Sequence, residues 1–156
     1  MNKDSIQIKG QVRFEVKNSD GSLAHDTGFI NNLTMNGALA VFSGLVGNTG
    51  SQTAFTYLAL GTSSTAVSAS QTTLVAEIID SGLSRVSATV SRTTTTQTND
   101  TLQLTTTWTA SGSKTINEVG YFNASSSGVM GGRALTGALS IVSGQTVTGT
   151  YKIIFS

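Results

Sequence analysis

Chemistry needs ionisable or nucleophilic side chains brought close together, and this chain offers few. His25 is its only histidine, and Asp26 follows it directly. An imidazole beside a carboxylate is half of a hydrolytic centre, but neighbours on a strand point to opposite faces, so the pair reads as surface or turn residues. Glu118, within NEVGYF, is a candidate partly buried carboxylate, and a buried acid can donate a proton. Glycoside hydrolysis would need a second carboxylate beside it. Glu77 and Asp80 are the available acids, with no spacing that joins them to Glu118. Arg133, in GGRAL, reads as a structural ion-pair partner of Glu118 or Glu77 ahead of an anion clamp. GVMGGR and GLVGNTG are glycine-rich without the spacing of a dinucleotide or phosphate loop, and no D-x-D-x-D-G run offers a calcium loop. The expectation is a protein without catalytic, cofactor or metal residues, and not an enzyme.

Composition sharpens that expectation. The chain has 156 residues, enough for one core of useful size, and is read as a single domain over 1–156. It contains no cysteine, which removes disulfides, thiolate metal sites and a cysteine nucleophile together. Charged residues make up only 11% of the chain, against about 25% in an ordinary soluble protein. Ser, Thr, Asn and Gln must therefore supply the surface polarity, and such a surface suits lasting contact with other protein. The net charge of +1 and the lack of a basic cluster give no field for nucleic acid. No apolar run reaches the length of a membrane span, and MNKDSIQIKG has no signal-peptide core. Synthesis in the cytosol follows, with neither a nucleic-acid nor a membrane partner.

The elements that would position these residues are mostly strands. In SIQIKGQVRFEVK the apolar residues Ile6, Ile8, Val12, Phe14 and Val16 fall on even positions, which is a long half-buried strand with Gly10 as a bend or bulge. An Asp-Gly turn follows, and a short strand runs through Leu23 to Ile30. The spacing of Met35, Ala38, Leu39, Phe42, Leu45 and Val46 predicts one helix over 34–46, capped by Asn32 or Thr34 and ended by Gly47. FTYLALG reads as a strand and TSSTAVSASQTT as an irregular connection, while LVAEIIDSGL fits a strand or a short helix, with Ile78, Ile79 and the nearby Gly82 favouring the strand. The threonine-rich SRTTTTQTNDTLQLTTTWTASGS, residues 91–113, reads as a hairpin around an Asn-Asp turn. Its alternation buries Leu102, Leu104 and Trp108 and exposes Thr105, Thr107 and Thr109. One or two short strands are expected in VMGGRALTGALSIVSG and a last one in QTVTGTYKIIFS. The sum is an all-β protein, a β-sandwich or jelly-roll-like barrel of about eight strands with one short helix. The complete absence of proline has no physical account.

From the helix onward, the order of these segments resembles small β-rich structural proteins of tailed-bacteriophage virions. The shared pattern is Ala59 to Thr62, an acid-bearing segment with Glu77, Gly82-Leu83-Ser84-Arg85, then Glu118-Val119-Gly120-Tyr121, then Gly128 through Arg133. Tyr121-Phe122 departs from it, since a smaller aliphatic pair is expected there. The resemblance implies a virion component and no particular post in the virion; a compact, low-charge sandwich suits the head surface better than the tail. Its expected role is a capsid decoration (cement) protein bridging copies of the major capsid protein, itself a homotrimer. Met1, Asn2, Lys3 and Asp4 would form a short arm reaching the capsid. The alternative is a tail-, collar- or fibre-associated module contacting a receptor or sugar. With no heptad repeat or shaft-like repeat, a free-standing fibre is not expected.

Overall fold

Strand alternation organises the molecule from its first element. The structure, a computed structural model, describes residues 6–156. It contains β1 (Ile8–Lys17), β2 (Leu23–Asp26), β3 (Ile30–Thr34), α1 (Asn36–Gly47), β4 (Tyr57–Gly61), β5 (Val86–Ser87), β6 (Thr89–Thr93), β7 (Thr101–Thr109), β8 (Lys114–Phe122), β9 (Met130–Ile141) and β10 (Thr146–Phe155). All pairings are antiparallel, in the order β5-β4-β8-β9-β3-β1-β10-β7-β6, with β2 beside β1. Among the described residues the fold is all-β with one short helix, as the periodicities require, and has ten strands where about eight were expected.

Two strands that change partner turn this order into a nearly closed barrel. β3 pairs with β1 through Asn31 and Asn32, then with β9 through Leu33 and Thr34. β5 and β6 are one run interrupted at Ala88, pairing first with β4 and then with β7. Strands that switch sheets at corners are how two packed sheets become one continuous wall. Inside lie Val12, Phe14 and Val16 of β1, Leu104 and Trp108 of β7, and Val147, Tyr151 and Ile153 of β10.

The threonine-rich hairpin forms in the expected register, with Val90 opposite Leu104 and Thr89 opposite Thr105. Trp108 and Leu104 are buried, Leu102 is half-buried, and Thr107 and Thr109 are exposed. Thr105 is half-buried instead of exposed, because β6 and β10 flank it on both sides. The Trp108 ring lies 6.5 Å from that of Phe14 and donates its indole N–H to the Ser84 carbonyl at 2.8 Å. Gly149 makes this possible, since a Cβ there would meet both rings at 2.9 and 3.0 Å.

Four expectations are corrected. The segment 74–83 is not a strand; its one ladder contact is the isolated bridge between Gly61 and Glu77. The amides of Val75 and Ala76 bond instead to a side chain, as described below. Gly10 is not a bulge but sits in register with Asn32 and Ile153, and its missing Cβ leaves room for the Asn32 amide. The segment over Met130–Ile141, expected as one or two short strands, is a single long strand of 12 residues. The helix begins at Asn36, with Met35 at its N-cap and no side-chain cap; Asn32 and Thr34 belong to β3. It ends at Gly47, with Asn48 in the left-handed conformation. Its buried residues are Ala38, Val41 and Gly44, while Leu39, Leu45 and Val46 of the predicted apolar stripe stand outside. Gly44 lies against the loop that follows the helix, where a Cβ would collide with Gln52.

Candidate functional site

The charged residues of the sequence pattern come together as two clamps. Glu118 and Arg133 face each other across β8 and β9, with neither side chain reaching solvent (0% exposed each) and Arg133 Nε donating to Glu118 Oε2 at 2.6 Å. A register shift between Ile116 and Glu118 marks the place in β8. Glu118 also accepts the backbone N–H of Ala76 at 2.8 Å and of Val75 at 3.2 Å. Arg133 donates from Nη1 to Gln71 Oε1 and from Nη2 to the Thr65 carbonyl. The irregular segment 62–76 is thus tied by side chains to the barrel wall, where a strand would have used its ladder. Gly61 permits this, because a Cβ there would strike the Glu118 carboxylate.

The second clamp is Arg85 with Glu77. Two parallel bonds join them, Nε to Oε1 at 2.9 Å and Nη2 to Oε2 at 2.6 Å, while Nη1 donates to the carbonyls of Ala124 and Ser127. The guanidinium lies 3.6 Å above the Phe122 ring. This accounts for the aromatic pair where small aliphatics were expected: Phe122 is a platform for Arg85, and Tyr121 packs edge-on against Phe55 and Tyr151. Arg133 was expected to take either Glu118 or Glu77, and it takes Glu118. The Arg85–Glu77 pair was not foreseen, though the bidentate fit of arginine to carboxylate was available as a signal.

The other chemistry-bearing residues lie apart. His25 is exposed on β2, and Asp26 turns to Arg13, which grips it through Nε at 2.9 Å and Nη2 at 2.6 Å. Hydrogen bonding from Arg13 holds the Asp26 carboxyl down to about 2. Asp80 pairs with Lys114 at 2.9 Å. Among the described residues no three His, Cys, Asp or Glu side chains gather at one point. Each acid considered for catalysis, Glu77, Asp80 and Glu118, is held by its own cation. Within the core, the Asn32 amide and the hydroxyls of Tyr121 and Tyr151 are buried without a hydrogen-bond partner. Burial pushes both phenols far above their ordinary value. Met1, Asn2, Lys3 and Asp4, the expected arm, lie outside the described residues.

A long uncharged run of the chain contributes several exposed apolar side chains, one of which, Phe29, lies 4.8 Å beneath the Lys152 ammonium. Residues 27–76, nearly a third of the chain, contain no Asp, Glu, Lys, Arg or His. Phe29, Leu33, Leu39, Leu45, Val46 and Val75 all fall in this run and are all exposed. On α1, Leu39 is 56% exposed and Val46, two turns on, 91%. Leu39 shares a shallow cavity with Ile6, and Phe42 packs at 5.8 Å against Phe155, so both described ends of the chain border the helix. An ordinary solvated helix carries charge on its outer face. This one carries none, and contact is what such a face can do. No family model, curated protein or solved structure matches the chain.

Proposed function

We propose that this chain is a structural component of a tailed-phage virion, a decoration protein that stabilises the head by bridging copies of the major capsid protein. The observation that carries the reading is the charge-free run 27–76 with its exposed apolar side chains. A surface of this kind binds by broad neutral contact. The ordered pattern that resembles virion proteins supports the same class, and its charged members pair with one another, Glu118 with Arg133 beneath the surface and Glu77 with Arg85 at it. On this reading the protein acts from the head surface after synthesis in the host cytoplasm. It stabilises the expanded lattice by mass action, because it binds that lattice and not its precursors. Trp108, the only tryptophan, is buried and cannot stack on a sugar, which weighs against a sugar-binding tail module.

The test uses heads purified without the protein and the full chain added back. Attachment should change little between low and high salt, since screening acts on exposed charges and leaves apolar contact largely alone. Decorated heads should release DNA at a higher temperature than bare ones. Removal of residues 1–4 should weaken attachment without unfolding the barrel. Labelled protein found only at the tail or collar, with bare heads as robust as decorated ones, would sink the decoration reading in favour of the tail alternative. Turnover of a glycan, ester or peptide that disappears in Glu118→Gln would sink both.

A further inference from the structure

We propose that the core of the barrel holds a water molecule shared by the Asn32 amide and the hydroxyls of Tyr121 and Tyr151, a site that ties the two sheets together through the interior.

The site begins with polar groups that the protein itself leaves unmatched. Tyr121 and Tyr151 are wholly buried, and neither hydroxyl has a hydrogen-bond partner in the protein. The same holds for both polar atoms of the Asn32 side chain. Other polar side chains reaching into this core are paired, Trp108 with the Ser84 carbonyl and Glu118 with Arg133. A buried polar group forfeits the bonds it made in water, so such groups are normally satisfied by protein or by ordered water.

The three gather at one place. The rings of Tyr121 and Tyr151 meet edge-on, with centroids 4.8 Å apart. Asn32 is half-buried between the exposed Asn31 and Leu33, on the inner face of β3. It lies beside the Tyr151 phenol, close enough to offset part of the effect of burial there. A Cβ on Gly132 would strike both the Asn32 amide nitrogen and Tyr121 at Cε1, the carbon next to the one that bears the hydroxyl. A Cβ on Gly10 would strike the same amide from the side of β1. Glycine weakens a strand interior and is found where something must approach the backbone closely. Here it lets a polar cluster sit between strands.

Solvent has a way in. β3 leaves β1 after Asn32 and joins β9 from Leu33, so the wall parts at that point. A cleft of about 340 Å³ opens there, lined by Lys9, Gly10, Asn31, Asn32 and Leu33 among others. Liquid water takes about 30 Å³ per molecule, so the cleft admits it easily. Asn32 belongs to the cleft and to the cluster alike.

The chemistry selects a neutral occupant. Burial holds both phenols in their protonated form, so an ion among them would stay uncompensated. Water carries two donors and two acceptors, and each phenol and the amide can both donate and accept. Buried waters typically make about three hydrogen bonds, one for each side chain here. Tyr151 stands on β10 in one sheet, Tyr121 on β8 in the other, and Asn32 on the strand that links them. The water thus bonds across the core what the ladders bond only along the wall.

Magnetic relaxation dispersion of the water oxygen, on the full chain in solution, counts waters held longer than the protein takes to tumble. It follows the oxygen, so hydroxyl protons that exchange with solvent do not contribute. The wild-type protein should hold more such water than the double variant Tyr121→Phe, Tyr151→Phe, which keeps both rings and removes only the hydroxyls. Should the double variant fail to fold, Tyr151→Phe alone serves the same comparison. In urea unfolding, each single variant should raise the unfolding constant by about three- to tenfold, the effect of one lost hydrogen bond. The double variant should raise it by less than the product of the two, because both hydroxyls act through one molecule. Equal long-lived water in wild type and variant overturns the proposal. So does a phenylalanine variant at least as stable as the wild type, or a double effect equal to the product. Neither measurement involves heads, so either result leaves the decoration reading where it was.

Discussion

Replacing Glu118 with Gln tests whether the buried clamp holds the irregular segment in place. The substitution keeps the volume of the side chain and removes its charge, leaving Arg133 with no counterion and no access to water. Breaking one side of a buried pair costs about 3–5 kcal/mol, chiefly because the remaining charge is uncompensated. The carboxylate oxygens also accept from Val75 and Ala76, and the amide of Gln offers only one oxygen, so one backbone N–H loses its acceptor. About 4 kcal/mol is therefore expected, a large part of the roughly 5–15 kcal/mol that holds a domain of ordinary stability together. Arg133→Met should cost a similar amount. The double variant Glu118→Gln, Arg133→Met buries no charge, and what remains is the unpaired backbone at about 1–3 kcal/mol per group. It should thus be clearly more stable than the sum of the single effects implies. Urea unfolding followed by Trp108 fluorescence measures all three, and exchange at the Val75 and Ala76 amides shows whether the segment comes loose. A cost under about 1 kcal/mol for Glu118→Gln, or strict additivity of the two changes, would refute the reasoning.

Three other outcomes follow from the packing. Trp108→Ala empties the space shared with Phe14 and orphans the Ser84 carbonyl, and should cost about 3–5 kcal/mol in urea unfolding; solvent-exposed native fluorescence of Trp108 would contradict the burial. Gly61→Ala drives a methyl into the Glu118 carboxylate and should destabilise by about 1–3 kcal/mol in the same assay, while leaving strand content by circular dichroism unchanged. Tyr121 and Tyr151 are held neutral in the fold, so their stabilising effect is complete below the unfolded value of 10.0 and is lost as pH rises above it. In an alkaline titration read by phenolate absorbance, those two phenols should ionise together with unfolding, and ionisation within an intact fold would contradict their burial.

Period-two alternation carried most of the fold into view. Val12, Phe14 and Val16 face inward, and the 91–113 hairpin buries Leu104 and Trp108, because one buried face leaves a strand only one acceptable register. The helix was legible in place but not in orientation. A hydrophobic stripe assumes that the largest apolar residues turn inward, whereas Ala38, Val41 and Gly44 do so here and Leu39 and Val46 stand outside. The segment 74–83 was misread for a related reason. Leu74, Ile78 and Leu83 are buried as strand residues would be, yet the amides of Val75 and Ala76 bond to the side chain of Glu118, distant in sequence, which no local pattern encodes. The Glu118–Arg133 pair was legible because two charges in otherwise apolar strands must find each other or remain uncompensated. The charge-free run 27–76 was equally present in the sequence, but its meaning depends on which of its apolar residues the fold leaves outside.

The two observations are connected through the distribution of charge. A chain with nine basic and eight acidic residues places two of each in clamps at or beneath its surface. Buried pairs are seldom the cheapest way to stabilise a fold, and apolar replacements often do as well. What an ion pair offers beyond an apolar contact is directional bonding to exposed backbone. Here the clamps supply acceptors for the amides of Val75 and Ala76 and donors for the carbonyls of Thr65, Ala124 and Ser127. With its backbone satisfied from inside, the segment 62–76 can lie on the surface as neither strand nor helix and without charged side chains of its own. A neutral, irregular yet well-bonded surface is difficult to build by other means, since loops ordinarily turn to water and to charged residues for their hydrogen bonds. Loss of a clamp should therefore affect contact as well as stability. Arg85→Met should loosen 124–127 and the neighbouring segment, seen as faster amide exchange there, while the barrel itself stays folded; on the decoration reading it should also weaken attachment to heads.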